Sequence, residues 1–367
     1  TDTTYHLLCL PPDHPEQGFT PVVLELSRMP IAVLRNDKED TLVVVIPEGN
    51  STSISIHPTD FSKPPSSFTV GLQVTTAILS NIRDQIIVGT QTGGGYSFNL
   101  QNGATKTILS DVGSPITALS LQAKSSIAAF ATDSTVHVVM DPLGAETPAK
   151  AFQLPDPIAA LHFNSTKSLV VVTSRGYVIE YPELPKAVRL TRFRPPTSGS
   201  KLRNISVHPS GAILLDHSSN HLTLLNKDLV PTTVQSPLTI SVRSMKFTSN
   251  AQSVLTTTDR RISTIWDCSS MQPRVLPMQS DHLVIAMEFN VINECLYTLH
   301  SDASLRTWKM PSQITSAPNN SPSPKHTVTS TLERFQLMLS VRPSDTGLGI
   351  TAAEAKVVLA TKRTQDK

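Results

Sequence analysis

The segment VRSMKF, residues 242–247, has apolar side chains at its first, fourth and sixth positions, and VIAMEF, residues 284–289, repeats this pattern. Further copies, such as IAALHF at residues 158–163, place starts at positions 31, 74, 116, 158, 202, 242, 284 and 336. The intervals between the starts are 43, 42, 42, 44, 40, 42 and 52 residues. Intervals of about 40–45 residues are typical of the four-stranded blades of a β-propeller. The repeat therefore predicts an all-β protein built from such blades.

The residues between the starts indicate strands rather than helices. The copy at residues 158–163 is followed by LVVVT (residues 169–173) and YVIEY (residues 177–181), two strand-like runs bounded by turn residues. No helical spacing of apolar residues persists between the starts. One four-stranded sheet exposes two apolar faces, so it is stable only where its neighbours cover them. We therefore expect a single β-propeller domain over residues 1–367.

The number of blades and the closure of the ring follow from the two termini. Eight starts predict eight blades; seven is the alternative if the weak first copy, residues 31–70, is irregular or if the terminal pieces share one blade. The last repeat runs out after Lys356–Ala360, so its outer strand must come from elsewhere. The N-terminal segment, residues 1–29, is expected to close the ring with the strand Val22–Leu26, and Tyr5–Leu10 is the alternative strand.

The composition limits the possible environments of the chain. Apolar residues make up 39% and charged residues 16%, and the formal net charge is +2, so no global field draws the protein onto nucleic acid or an anionic membrane. The three cysteines are too sparse for a disulfide framework, which favours a reduced intracellular compartment, cytoplasmic or nuclear. No apolar run approaches the ~18 residues of a membrane span, so no membrane insertion is expected. Residues 311–325, rich in Pro and Ser, predict a loop insertion.

Two repeats carry side chains that resemble those of the WD-repeat family. His282 stands where that family places a histidine before the first strand, and Asp302 precedes Trp308 by the family's spacing of six residues. Trp266 and Asp267 resemble the dipeptide that names the family. The resemblance covers nearly the whole chain in spacing but only two of eight repeats in motif, which is typical of a divergent member. It implies a propeller in which His, Asp and Trp belong to a hydrogen-bonded network that stiffens a blade.

One stretch of the chain departs from the even distribution of charge. No Asp or Glu occurs from Leu184 through Leu215, and Pro and Gly residues mark part of this stretch as a loop between blades. It could form a basic rim that grips phosphate, from RNA or a phosphopeptide, or an acidic partner. Alternatively it is a solvated loop against which acids from elsewhere fold. Phe193 could stack on a base or anchor the loop to the blade. The candidate interaction patch consists of Lys186, Arg189, Arg192, Phe193, Arg194, Lys201 and Arg203.

Residues that could carry catalysis do not assemble into a recognisable set. His217 and His221 lie four apart between two predicted strands, and no acid or cysteine joins them at metal-ligand spacing. The glycines at residues 93–95 lie between two strand-like runs, which favours a hairpin turn over a phosphate-binding loop. We therefore predict no catalytic, cofactor or metal site and expect a protein that is not an enzyme.

The leading hypothesis is a non-enzymatic interaction scaffold, a WD-repeat-like subunit of a larger intracellular protein complex. Propellers offer a rigid face with many independent loops, and such loops can hold several protein partners. One alternative is an RNA- or phosphate-associated propeller in a ribosome-assembly or RNA-processing complex, based on the basic stretch. Another is a substrate receptor that reads a short peptide on one face.

Overall fold

The computed structural model describes most of the chain between its termini, and all the regular secondary structure in that part is β-strand. The chain divides into two compact units, one of Thr1–Thr4 and Leu26–Thr233 and the other of Tyr5–Glu25 and Val234–Lys367. The described residues are 5–9, 22–26, 28, 30–36, 41–58, 63–80, 84–122, 127–143, 148–164, 168–184, 186, 188–195, 200–208, 210–219, 221–235, 242–248, 251–271, 278–279, 281–290, 295–300, 305–309 and 336–341.

The first unit contains five four-stranded antiparallel sheets, and within each of them the strands pair in chain order. Sheet one consists of β3 (Ala32–Asn36), β4 (Thr41–Glu48), β5 (Ser51–Pro58) and β6 (Ser66–Val70). Sheet two consists of β7 (Val74–Ser80), β8 (Gln85–Thr90), β9 (Gly95–Asn99) and β10 (Thr105–Leu109). Sheet three consists of β11 (Ala118–Leu121), β12 (Ile127–Ala131), β13 (Thr135–Met140) and β14 (Lys150–Gln153). Sheet four consists of β15 (Ile158–Phe163), β16 (Leu169–Thr173), β17 (Val178–Tyr181) and β18 (Leu190–Phe193). Sheet five consists of β19 (Leu202–Val207), β20 (Ile213–His217), β21 (His221–Leu225) and β22 (Pro231–Gln235).

The second unit contains two further sheets of this kind and one of two strands. The two-stranded sheet pairs β1 (Tyr5–Cys9) with β2 (Val22–Leu26). Sheet six consists of β23 (Val242–Phe247), β24 (Ser253–Thr258), β25 (Ile262–Asp267) and β26 (Met278–Gln279). Sheet seven consists of β27 (Val284–Asn290), β28 (Cys295–His300), β29 (Leu305–Lys309) and β30 (Gln336–Val341).

Apolar clusters join each sheet of the first unit to its neighbours. Alternate residues of a strand face opposite sides, so β12 directs Ala129 and Ala131 towards sheet four and Ala128 and Phe130 towards sheet two. The second strands are buried on both faces, whereas outer strands such as β14 and β18 are largely exposed. Burial of one large apolar side chain contributes about 1.5–3 kcal/mol. The clusters between the sheets therefore dominate the stability of the unit.

Within each unit, several first strands lie side by side, as first strands do around the axis of a propeller. In the first unit β7 contacts both β3 and β11, and β11 also contacts β15. In the second unit β23 contacts β27. Seven of the eight starts found in the sequence fall at or within two residues of these first strands, which confirms the repeat as a sequence of four-stranded sheets.

The eighth start, at Gln336, was assigned wrongly. Gln336–Val341 forms β30, which pairs with β29 as the fourth strand of sheet seven. This pairing fills the outer position that Val22–Leu26 was expected to supply, and Val22–Leu26 pairs instead with Tyr5–Cys9. The end of the last repeat, Lys356–Ala360, and the predicted insertion at residues 311–325 lie outside the described residues. A first strand and a fourth strand both show alternating apolar residues, so the pattern alone did not distinguish them.

Gly93 and Gly94 lie in the turn between β8 and β9, and Gly95 is the first residue of β9, which confirms the predicted hairpin. Thr90 accepts a hydrogen bond on its Oγ1 from the Gly94 N–H at 2.9 Å, and Gly93 has a φ of 93°. A Cβ on Gly95 would lie 2.6 Å from the ring of Phe130 in sheet three. The ring therefore packs directly on the Gly95 backbone, and this contact requires a residue without a side chain.

Candidate functional site

The basic stretch lies along the outer strand of sheet four and is divided between the two ends of that sheet. Because the strands of sheet four are antiparallel, the turn before β16 and the turn before β18 lie at the same end of the sheet, here called the hairpin end. The loop from β18 to sheet five leaves from the opposite end, here called the linker end. Lys186 precedes β18 and belongs to the hairpin end, whereas Arg194 and Lys201 belong to the linker end. The predicted patch is therefore not one cluster on a single rim.

Three of its six cations are paired with acids. The Lys186 Nζ lies 2.7 Å from a carboxylate oxygen of Glu183, and both side chains are exposed. The other two pairs involve Arg192 and Arg203, and their acids are buried. The sequence analysis offered the alternative that acids from elsewhere fold against the basic stretch. Three of its six cations have such an acid partner.

Arg192 neutralises a carboxylate inside sheet four. The Glu180 side chain is only 7% exposed, and its Oε2 accepts a hydrogen bond from the Arg192 Nε at 2.6 Å. The other oxygen, Oε1, accepts hydrogen bonds from Ser168 Oγ at 2.5 Å and from Asn164 Nδ2 at 3.4 Å. A buried carboxylate is tolerated only when it is paired and hydrogen-bonded, so this network is primarily structural.

Arg203 forms a second buried pair in sheet five. Its Nη2 donates to Asp216 Oδ1 at 2.8 Å and its Nε to Oδ2 at 3.1 Å, an arrangement that fits the planar guanidinium. The Asp216 side chain is 1% exposed, and Asn204 also donates to it. Arg203 is therefore held inside the sheet and offers little to a partner.

Phe193 belongs to the core rather than to the interaction patch. It is 8% exposed and packs in the cluster between sheets four and five, with its ring centroid 5.9 Å from that of His217. A bulge in the pairing of β17 with β18 shifts the register so that Phe193 lies opposite Val178, which faces the same cluster. This burial favours the alternative in which Phe193 anchors the loop to the blade over the one in which it stacks on a base, and both roles stay predictions.

Arg189, Arg194 and Lys201 are exposed cations of the patch for which no ion pair is found within the described ranges. Burial raises the pKa of the Tyr181 phenol, and the nearby charge of Arg189 opposes that shift. Lys201 is fixed through its backbone, since its N–H donates to Ser218 Oγ at 2.9 Å. These three cations are therefore the exposed members of the patch whose charge no acid neutralises within the described ranges.

The two tryptophans singled out by the WD-repeat resemblance make the same contact in sheets six and seven. The Trp266 Nε1–H donates to Thr256 Oγ1 at 2.8 Å, and the Trp308 Nε1–H donates to Thr298 Oγ1 at 2.7 Å. Both rings are buried. Sequence reasoning missed the threonines, although each precedes its tryptophan by ten residues.

The network in sheet seven extends to a histidine that the sequence did not single out. Thr298 Oγ1 also lies 2.8 Å from His300 Nε2, and both side chains are fully buried. His282 is half-buried just before β27, and Asp302 lies outside the described residues. The proposed roles of His282 and Asp302 in the network stay predictions.

Asp267 does not face the tryptophan network but closes the turn after β25. Its Oδ1 accepts hydrogen bonds from the backbone and side-chain groups of Ser269 and Ser270. Burial alone would raise the pKa of Asp267, but these hydrogen bonds outweigh it and lower the pKa. The residue therefore stabilises a turn.

A recurring position ends the second strand in several sheets. The residue there pairs with the first residue of the first strand. Where it is threonine, its Oγ1 accepts a hydrogen bond from the backbone N–H four residues later and so closes the hairpin turn. The residues at this position are Thr90, Thr173, His217, Thr258 and His300.

His217 differs from the threonines at this position because it makes no hydrogen bond that closes the turn. It is fully buried, and neither ring nitrogen has a hydrogen-bond partner among the residues described. Gly176, at φ 84°, approaches so closely that a Cβ there would lie 2.7 Å from His217 Cε1. Burial, followed by the charges of His221 and Arg203, lowers the pKa of His217 to about 4. The imidazole is therefore neutral at neutral pH.

The described residues bring together no three His, Cys, Asp or Glu side chains that could hold a metal ion. In the same residues no helix is long and apolar enough to cross a membrane. A cavity of about 610 Å³ lies between the outer strand of sheet two and sheet three, with Lys106, Leu109, His137, Val139 and Asp141 in its lining.

Comparison with known proteins gives a likeness in structure only. No protein-family model matches the sequence, and no curated protein matches it. A chain in the crystal structure of a mitotic checkpoint complex superposes with a TM-score of 0.54 at 14% identity, over 82% of this chain and 98% of that one. Together with the all-β architecture of four-stranded sheets, the likeness shows a β-propeller fold. At this identity it shows the fold alone.

Proposed function

We propose that this protein is a non-enzymatic interaction scaffold, a divergent WD-repeat propeller that serves as a subunit of a larger intracellular protein complex. The observation that carries the proposal is the array of four-stranded sheets, whose core is apolar and whose polar side chains go mainly into stabilising turns and strand pairs. The chain that it resembles in structure is itself part of a multiprotein complex. That likeness supports protein partners as a class.

The exposed cations of the patch indicate which kind of partner surface the scaffold would bind. Arg189, Arg194 and Lys201 are exposed and follow the outer strand of sheet four to the linker end. Exposed cations without an acid neighbour steer acidic surfaces and raise association rates more than affinity. An acidic protein surface is therefore the partner that this side of the molecule favours.

The RNA-associated alternative loses part of its support. Arg192 and Arg203 already neutralise buried carboxylates, and Phe193 is buried, so three residues of the patch are not free to bind a nucleic acid. With three accessible cations, RNA binding would fall with salt at a slope of about −2 in a double-logarithmic plot for single strands. A filter-binding titration at several salt concentrations measures this slope.

Affinity purification of the tagged protein from its own cells, followed by mass spectrometry, tests the scaffold proposal. We expect stable protein partners in stoichiometric amount, and we expect Arg189→Glu, Arg194→Glu and Lys201→Glu in one chain to reduce their recovery. The matched control reverses three exposed lysines elsewhere in the same unit, Lys63, Lys150 and Lys227. A monomer that retains no partner at physiological salt would refute the scaffold.

A further inference from the structure

The cavity between sheets two and three is lined by residues that the proposed function does not use. Its volume of about 610 Å³ lies within the range of about 300–1,000 Å³ that is usual for ligand sites. The outer strand β10 and the segment that follows it form one wall. The other wall consists of β13 and of residues 141–142 and 148–149, which lie before β14. The cavity is therefore a groove between two neighbouring sheets of the first unit, here called the inter-sheet groove.

The floor of the inter-sheet groove is apolar because β10 contains a bulge. The pairing of β10 with β9 shifts between Thr107 and Leu109, so the register skips Ile108. A bulge changes the direction of side chains. Ile108 and Leu109 are consecutive in the chain, yet both belong to the apolar cluster that includes Val139 of sheet three. These three buried side chains also line the groove, so they offer apolar contact to whatever enters it.

The two carboxylates of the groove stand at opposite ends of it. With the ends named as in sheet four, Asp111 follows β10 at the linker end of sheet two, and Asp141 follows β13 at the hairpin end of sheet three. The two linker ends lie on the same side, because the Thr75 hydroxyl in β7 donates to the Ile116 carbonyl, just before β11, at 2.5 Å. The wall from Lys106 to Asp111 spans roughly 15 Å of extended chain. A ligand that meets both carboxylates must therefore be elongated.

The charge of the lining favours a cation. Asp111 and Asp141 are both exposed, and within the described ranges neither forms an ion pair. The Tyr96 hydroxyl donates to Asp111 Oδ1 at 3.2 Å and so orients that carboxylate. Lys106 is the single Lys or Arg among the described residues of the lining, so two negative charges face one positive charge. Burial lowers the pKa of His137, which is therefore neutral at neutral pH and adds no charge.

We propose that the inter-sheet groove binds a short extended segment of a partner protein, with a basic residue at each end and apolar residues between them. The basic side chains pair with Asp111 and Asp141, and the apolar side chains lie on Ile108, Leu109 and Val139. A small cation reaches only one of the two carboxylates, whereas about six extended residues span the groove. This inference rests on the proposed scaffold function and names the partner chemistry of a second surface.

Fluorescence anisotropy with labelled peptides and the full chain tests the chemistry of the partner. The probe is a peptide of about six residues with arginine at both ends and two valines and two serines between them. We expect it to bind at least about ten-fold more tightly than the same peptide with neutral citrulline in place of arginine, and about five-fold more tightly than a peptide of the same composition with adjacent arginines, because an exposed ion pair contributes up to about five-fold. Equal binding of the citrulline peptide would refute a cationic partner. Equal binding of the peptide with adjacent arginines would refute an elongated one.

Variants of the protein locate the peptide in the inter-sheet groove. Asp111→Asn together with Asp141→Asn should weaken binding by about ten-fold, since both ion pairs are lost. The matched control, Asp133→Asn with Asp228→Asn, removes two exposed carboxylates that do not line the groove and should bind as the unmodified chain does. Unchanged binding by the first double variant would refute the site.

A second variant fills the groove without changing its charge. Ala149 is exposed and lines the groove, so Ala149→Trp should weaken binding by at least about ten-fold, whereas Ala159→Trp, an exposed alanine of β15, is the control. Normal binding by Ala149→Trp would overturn the proposal, and so would a dimer of the unmodified chain that this variant dissociates, because a second copy would then occupy the groove. Stoichiometric native partners that are still all recovered with both groove variants would refute this surface while leaving the scaffold function standing.

Discussion

Replacement of His217 by threonine should make the stability of the first unit less dependent on pH. The pKa of His217 is lowered to about 4 from an ordinary value of 6.5, chiefly by burial. Above pH 6.5 the folded and unfolded forms are both neutral, so the histidine has no pH-dependent cost. As the pH falls below 6.5 the unfolded form binds a proton and the folded form does not, so stability decreases until the pH passes the folded pKa.

The size of the effect follows from the shift. Linkage gives a loss of about 2 kcal/mol at pH 5, and at most about 3 kcal/mol once the pH lies below the folded pKa. Threonine occupies the same position in sheets two, four and six, where it accepts a hydrogen bond from the turn. At pH 7.5 the smaller side chain leaves a cavity that costs about 1 kcal/mol, and the new hydrogen bond offsets a similar amount. The His217→Thr variant should therefore match the unmodified chain at pH 7.5 and exceed it by about 2 kcal/mol at pH 5.

Urea denaturation followed by far-ultraviolet circular dichroism measures this difference at the two pH values. Tryptophan fluorescence is unsuitable, since Trp266 and Trp308 both belong to the second unit. Thr173→Ala, at the equivalent position in sheet four, is the control: it removes a turn hydrogen bond without removing a titratable group and should destabilise the protein equally at both values. An unchanged difference between His217→Thr and the parent from pH 7.5 to pH 5 would show that the histidine is not held neutral.

Two further substitutions test the contacts within the first unit. Gly95→Ala should destabilise it by about 1–3 kcal/mol in the same assay, because the new methyl group would overlap the ring of Phe130, whereas Gly71→Ala meets no atom within 4 Å and should be tolerated. Asp216→Asn should cost about 3 kcal/mol because it leaves a guanidinium without its buried partner, whereas Glu183→Gln removes an exposed pair and should leave the urea midpoint unchanged.

The repeat was readable from the sequence because it depends on local alternation. Segments such as VRSMKF and VIAMEF became first strands, since apolar residues at alternate positions suit a strand that packs between neighbours. The same alternation led to a wrong prediction at Gln336–Val341. This segment was predicted as a first strand, but it pairs with β29 as a fourth strand. The distinction between first and fourth strands depends on pairing across a long connection, and no local pattern records that pairing.

The basic stretch shows why a linear run of charge is a poor guide to a binding surface. The acids that neutralise it, Glu180, Glu183 and Asp216, lie just outside the acid-free interval of the sequence. Hairpin pairing brings Glu180 beside Arg192 and Asp216 beside Arg203. Glu183 pairs with Lys186, three residues later, so half of the six cations are neutralised on folding. The burial of Phe193 likewise depends on a bulge, a one-residue shift in register that composition does not reveal.

The two-sided packing of β12 limits where the chain can be divided into fragments. A fragment that ended after sheet three would expose Ala129 and Ala131 to solvent, and one that began with sheet three would expose Ala128 and Phe130. Either fragment would present a freshly uncovered apolar sheet and would be prone to aggregate. A truncation should therefore not separate sheet three from sheets two and four, and reporter peptides belong in the exposed turns rather than between the sheets.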